Sequence, residues 1–352
     1  MYRPRLTALV LAALVLAAPA SRAQSDLPDD TALIRVLDVG QALSVVAALP
    51  GDYYVVFDAG DDLPGNPVLD GVREIVPDGE EIDLLVISHP DFDHLNDALS
   101  LLDAYRGRVR RVVRTGFSEG ASKTWRALDS TITARALAGE FKEVNLQHTE
   151  LPPGATYRYG ESFVTFLAGA PEPPPDWGLT STSERKNAVS LAARISYRGG
   201  SVLIAGDAFG RKVGTSESAE STERMMEPAA ATERDMLAYA PVLPLASDVL
   251  VAAHHGADDG SSADFIGAVD PTWVVFSAGE DHAHPRQTTA DRYIAAGVSP
   301  WRILRTDAED EPEEKEWRRD DWPRIPRAGG DVDIAISGGG HVFVRYRGAA
   351  LD

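Results

Sequence analysis

The sequence predicts an α/β or layered α+β protein, and three observations carry that expectation. Short β-branched or alternating apolar runs recur along the chain, and most end in Gly, Asp or Ser, as strands closed by turns do. Stretches with helical apolar spacing lie between them. The composition is that of a globular chain: 352 residues, 44% hydrophobic and 25% charged, with 30 glycines and 23 prolines. That leaves ample sequence for a buried core and excludes wholesale disorder, collagen and disulfide scaffolds.

The first element is a leader. Arg3 and Arg5 precede an apolar run from Leu6 to Ala18, followed by Pro19 and the small-x-small site Ser21-Arg22-Ala23. This is the pattern of a secretory signal peptide cleaved after residue 23, and the run is shorter than the ~20 residues of a membrane span. With no cysteine, a lipoprotein anchor is also out. No later run reaches spanning length, so the expected product is exported, with no stable membrane insertion, and is periplasmic or extracellular.

The body follows. Leu33–Asp38, Leu43–Leu49 and Tyr53–Asp58 read as strands, and Asp83–Ser88 holds the continuous apolar run Leu84-Leu85-Val86-Ile87, a buried strand. Leu95–Tyr105 has helical spacing, Val109–Arg114 is a strand, and Lys123–Ala138 a second helix. Pro171–Arg185, with three consecutive prolines, reads as a loop between the strands Ser162–Leu167 and Ala188–Tyr197. Ser201–Ala205, Asp248–Ala253, Trp273–Ser277 and Trp301–Arg305 are further strands, with helices at Ala263–Val269 and Thr288–Ala296. Asp331–Ser337 and His341–Arg347 close the chain as strands. With no repeat and no sharp boundary, one domain is expected over 31–349, with loop insertions near 210–231 and 307–327.

Charge and cysteine content narrow the chemistry. The 54 acidic residues against 34 basic give a net −20, and loss of Arg3, Arg5 and Arg22 with the leader leaves −23. So acidic a surface repels polyanions unless a local patch or a bound metal reverses the field. Without cysteine there is neither thiol catalysis nor a thiolate site, and any metal must sit on His, Asp, Glu or backbone oxygen.

Six of the eight histidines fall in three short motifs: His89 with His94, His254 with His255, and His282 with His284. His148 and His341 stand alone and receive no role. In the loop after Leu84–Ile87, His89-Pro90-Asp91-Phe92-Asp93-His94 presents two imidazoles and two carboxylates within six residues. Such alternating N and O donors can converge on one or two divalent ions, and packing them together without a cation is costly. A helix-capping loop is the bland alternative. Asp207, after the apolar run Ser201–Ala205, is on its own merely a cap.

This His-x-Asp-x-Asp-His segment resembles the His-x-His-x-Asp-His signature of the metallo-β-lactamase superfamily. Val36-Leu37-Asp38-Val39-Gly40-Gln41, Phe57-Asp58-Ala59-Gly60, Asn187-Ala188-Val189-Ser190-Leu191, Leu203-Ile204-Ala205-Gly206-Asp207, His254-His255-Gly256 and His284-Pro285 resemble, in order, motifs of the corresponding domain of ComEC-type competence proteins.

The resemblance implies an αββα sandwich of two mixed β-sheets flanked by helices, and two divalent metal ions, zinc or manganese. His89 and Asp91 would serve one ion and Asp93 and His94 the second. Asp207 would bridge, and His254 or His255 would complete the set. Adjacent strand-end residues point opposite ways, so one of that pair is expected to bind. Asp91 stands where the family most often has His, which enriches the first site in oxygen and favours manganese or magnesium. No third histidine motif separates Asp93 from Asp207, and the first site would then be weak or filled only with substrate. Asp58 is expected to hold the metal loop by hydrogen bonds.

The implied activity is hydrolysis by a metal-bound hydroxide. Asp93 would orient it and His284, with His282 less directly, would donate to the leaving oxygen; Asn187, Ser190 and Ser261 or Ser262 would contact phosphate. A small-molecule or nucleic-acid phosphodiester is the expected substrate. Carboxylic ester, lactone or β-lactam hydrolysis, and a non-catalytic metal-binding module, stand as alternatives. Arg106, Arg108, Arg110, Arg111 and Arg114 read either as a phosphate-tracking strip or as a helix end and edge strand, and the acidic background favours the second.

Overall fold

The computed structural model describes residues 27–212, 228–279, 281–307, 315–317 and 330–347. The expected leader and most of both expected insertions lie outside the described residues.

Two sheets form the centre. The first has eight strands in the order β15-β14-β1-β2-β3-β4-β5-β6, with β1 Ala32–Val36, β2 Val45–Leu49, β3 Tyr53–Phe57, β4 Leu84–Ile87, β5 Arg111–Arg114, β6 Lys142–Asn145, β14 Val332–Ile336 and β15 Val342–Tyr346. The second has seven in the order β13-β12-β11-β10-β9-β8-β7, with β7 Thr156–Tyr159, β8 Ser162–Ala168, β9 Ala192–Tyr197, β10 Gly200–Ile204, β11 Val249–Val251, β12 Trp273–Phe276 and β13 Ile303–Arg305. Both are mixed. Pairing is parallel from β3 to β6 and from β10 to β13, and antiparallel elsewhere.

Alternation within the apolar strands explains the layers. Leu84 and Val86 of β4 face the second sheet, joining Val55, Phe57, Val164, Phe166, Ile204 and Val251 in the central core. Leu85 and Ile87 point the other way, against Val72 of α1 (Pro67–Ile75), Leu101 of α2 (Ala98–Ala104) and Trp125 of α3 (Lys123–Leu137). On the far side Leu203, Leu250 and Val274 carry α5 (Ala231–Tyr239), α6 (Ala263–Val269) and α7 (Gln287–Ala295) through Met236, Phe265 and Ala290. A strand sandwiched between two apolar layers has no polar face to alternate, hence the continuous run at 84–87.

The structure also corrects the element list. β6, β7, α1 and α5 have no counterpart in the sequence-based assignment. So does α4 (Thr182–Ala188), which replaces the end of the expected 171–185 loop and the start of the expected 188–197 strand. β9 begins only at Ala192, so Asn187 sits in the last turn of a helix.

Candidate metal centre

The centre lies where strands of both sheets end. β3 delivers Asp58 and β4 the 88–94 loop, while β10 delivers Asp207 and β11 His254 and His255. Beyond the carboxyl ends of parallel strands is where open α/β sheets place ligands. The first loop is pinned closely: Leu43 N donates to Asp93 O and Ala59 N to His94 O, both at 3.0 Å. A Cβ on Gly60 would lie 1.5 Å from Asp93 O, so only glycine lets the two segments meet.

Each buried imidazole has one nitrogen held and one left over. His94 Nδ1 donates to Asp58 Oδ2 at 2.7 Å, and His255 Nδ1 donates to Ser277 O at 2.8 Å. Ser88 Oγ donates to Asp58 Oδ2 at 2.6 Å and therefore accepts from His89 Nδ1, 3.0 Å away. All three tautomers are thereby set with the lone pair on Nε2. Those Nε2 atoms and Asp207 Oδ1 are buried with no hydrogen-bond partner.

They converge. Asp207 Oδ1 is 3.0 Å from His94 Nε2 and 3.9 Å from His255 Nε2, and Asp93 Oδ2 is 3.3 Å from His255 Nε2. Asp207 Oδ2 is 3.5 Å from His89 Nε2 and 3.6 Å from His254 Nε2. His89, His94 and Asp207 form one group of metal-ligand geometry and Asp93, His94 and His255 another. Buried acceptors facing one another call for a cation between them. The donor set, imidazole nitrogen with carboxylate oxygen, suits a borderline divalent ion, and the residues present fit a metal centre.

The electrostatics say the same. Burial opposes charge on Asp207, yet His94, His254 and His89 hold its carboxyl well below the usual range. Burial likewise opposes charge on His94, but Asp207, Asp58 and Asp93 raise its pKa well above the ordinary histidine value. Positive charge is strongly favoured at this point.

The remaining expected residues are placed as follows. His254 and His255 do not end a strand: both have left-handed φ, 51° and 54°, in a tight turn. That geometry brings both rings toward Asp207, where opposite orientation was expected. His254 Nδ1 donates to Asp259 Oδ1 at 2.6 Å. Asp91 carries Lys186 on Oδ1 and joins neither ligand group. Asn187 lies between Asp91 and His254; with its amide turned to satisfy both ends, Nδ2 donates to Asp91 Oδ2 at 3.2 Å and to Ser183 O at 3.3 Å.

Ser190 is buried and accepts from Asp207 N at 3.2 Å, so it braces the ligand loop. Ser261 and Ser262 are buried away from any phosphate path, their amides donating to Glu233 at 2.6 and 2.8 Å. His282 is exposed, its ring 6.0 Å from that of His284. The arginine strip is spent internally: Arg106 on Glu140, Arg110 on Glu81, Arg114 on Asp129 and Glu143, with Arg108 and Arg111 over tyrosine rings.

Sequence reasoning missed three partners. Gln41 Nε2 donates to His284 Nδ1 at 3.0 Å while its Oε1 accepts from Gly279 N, which leaves the His284 proton on Nε2. Burial, then the neighbouring His254, His255 and Arg286, hold the pKa of His284 well below the ordinary value. Asp259 and Lys186 are the others. Beside the centre opens a cleft of about 290 Å³ whose lining includes Phe209, His254, His284 and Arg286. Its carboxylates are engaged: Glu184 caps α4, Asp258 accepts from Thr288, and Asp259 holds His254.

The model of the metallo-beta-lactamase superfamily matches residues 37–266. Competence protein ComA of Neisseria gonorrhoeae is 25% identical over 312 residues, 84% of this chain and 34% of that protein. The chain thus spans about a third of the length of the curated relative it matches. Among solved structures, the metallo-beta-lactamase fold protein YhfI from Bacillus subtilis is similar over 79% of this chain and 97% of its own, at TM-score 0.44 and 12% identity. CmlA, a diiron beta-hydroxylase from Streptomyces venezuelae, is similar over 80% of this chain and 53% of its own, at TM-score 0.44 and 17% identity.

Proposed function

Since the chain belongs to the metallo-β-lactamase superfamily, we propose that it is a metal-dependent hydrolase of phosphodiesters. The observation that carries the substrate class is the cleft beside the centre, where Arg286 and the rings of His254 and His284 line the space next to the ligand residues. Three carboxylates, Glu184, Asp258 and Asp259, also line it, so an anionic group entering there would rely on Arg286 and a bound divalent ion for positive charge. A volume of about 290 Å³ accepts a small phosphodiester or the end of a nucleic-acid strand, not a length of duplex.

Asp93, His94, His255 and Asp207 would hold a divalent metal, zinc or manganese, with His89, His254 and Asp91 on the second side. The metal supplies Lewis acidity and lowers the pKa of water. Asp93 accepts a hydrogen bond from the attacking water and orients it. His284, neutral and carrying its proton on Nε2, donates to the leaving oxygen, with Gln41 fixing its ring. Arg286 receives the phosphoryl oxygens, while Asn187, its amide N–H groups given to Asp91 and Ser183, steadies this edge of the site. Export in a cleaved form is part of this proposal and rests on the signal-peptide pattern of residues 1–23, and no helix among the described residues is long and apolar enough to cross a membrane.

The test is manganese- or zinc-dependent hydrolysis of an aryl phosphodiester by residues 24–352, beside Asp207→Ala. Activity in the parent chain and its loss in the variant are expected. A folded, metal-loaded chain that cleaves lactones or carboxylic esters but no phosphodiester would move the assignment to that chemistry.

A further inference from the structure

Both residues that end α4 on the metal side reach one carboxylate. Lys186 Nζ rests on Asp91 Oδ1, and Asn187 Nδ2 lies 3.2 Å from Asp91 Oδ2. Each oxygen of Asp91 therefore already serves an N–H donor. The contact is sheltered, with the Lys186 side chain 18% exposed and that of Asp91 21%.

The two sides of the centre are thus unequal. On one, Asp93, His94, His255 and Asp207 Oδ1 converge with no lysine or arginine among them. On the other, His89, His254 and Asp207 Oδ2 offer donors, but the fourth donor, Asp91, already carries an ammonium. A divalent ion entering that side would lie beside a fixed like charge and would compete with Lys186 for Asp91, both unfavourable where water is largely excluded.

Resting on the metal-hydrolase reading above, we infer that the chain keeps one tightly bound divalent ion, on the Asp93–His94–His255 side, and that Lys186 is a resident cation in place of the second. Lys186 then supplies without a metal what a second ion would give on that side, the neutralisation of Asp91. Uncharging Lys186 frees Asp91 and opens the second side to metal.

The experiment counts ions. The chain, Lys186→Met and Lys186→Arg are each loaded with excess Mn²⁺ or Zn²⁺, passed through gel filtration, and analysed for metal per chain by mass spectrometry of the elements. One ion is expected for the parent chain and for Lys186→Arg, and close to two for Lys186→Met. Lys186→Gln repeats the uncharged case if the Met variant does not give the parent's circular dichroism. Two ions in the parent chain, or one in the parent and in both uncharged variants, overturns the role of Lys186. Either result leaves the hydrolase intact if metal-dependent, Asp207-dependent cleavage persists. No retained ion in any chain removes the metal centre and, with it, both proposals.

Discussion

Asp58 shows how much of the centre rests on a side chain that faces no ligand position. One carboxylate accepts from Ser88 N, Ser88 Oγ and His94 Nδ1, at 2.6, 2.6 and 2.7 Å, and through Ser88 it also fixes His89. Asp58→Asn keeps the shape but presents an NH₂ where one of these donors needs an acceptor. Outer partners of this kind are typically worth 10–100-fold in metal affinity. Chelator competition on Asp58→Asn is expected to show a loss of that order, and an unchanged affinity would mean that Asp58 does not orient the histidines. Three candidate ligands were legible because spacing alone puts His89, Asp93 and His94 on one loop, together with Asp91, which joins neither ligand group, whereas Asp207 read as a ligand only through the family resemblance. Asp58 carried a weaker signal, a carboxylate closing an apolar strand. Gln41 and Lys186 were not legible as site residues, since each matters only through a contact made across the fold, 243 and 95 residues along the chain from its partner, whereas Asp259 lies five residues from His254 in a loop with no pattern to mark it.

Among the elements, what escaped the sequence reading was short, polar or at an edge. β6 reads Lys-Glu-Val-Asn and closes the first sheet, so no further strand among the described residues pairs with its free edge and it needs no continuous apolar run. α4 has no apolar periodicity, yet it did leave a trace: Ser181 and Glu184 form a reciprocal capping box, the Ser-x-x-Glu pattern at a helix start. α5 is held by a polar device instead, because Glu233 is fully buried and accepts from Ser261 N and Ser262 N. Burial raises its pKa from 4.5 to about 7, against the pull of those hydrogen bonds and Arg292. Between those two values the native state holds a proton that the unfolded chain has released, so this group's contribution falls as pH rises through the window. The shift corresponds to at most about 3 kcal/mol. Glu233→Gln cannot ionise. Urea unfolding at pH 5 and pH 8 is therefore expected to show a smaller drop in stability for the variant than for the parent chain, and equal drops would show that burial does not retain the proton.

On the scale of the whole molecule the centre is the place where the two sheets are tied. His89, Asp93 and His94 follow β4 of the first sheet, whereas Asp207 follows β10, and His254 and His255 follow β11, of the second. The apolar interface between the sheets forms without help from these residues, since Val86, Phe57, Ile204 and Val251 belong to one continuous core. Folding should therefore not require metal, unlike small domains whose core is the metal site. A ligand that binds only the folded chain still stabilises it by mass action, by about 2.7 kcal/mol at one hundred times its Kd. In a chain of this size that is worth roughly 5 °C in Tm. The expected result is a folded apo-protein whose Tm rises by that order with added Mn²⁺ or Zn²⁺, in a concentration-dependent way, and falls again with chelator. Asp93→Ala, which removes one ligand from the first sheet's loop, should melt near the apo-protein and respond little to metal. If metal left the Tm of the parent chain unchanged, the histidines and carboxylates would be packing against one another and not linking the sheets through a cation. If chelation unfolded the chain outright, the apolar core would be insufficient, and the tie between the sheets would rest on the metal itself.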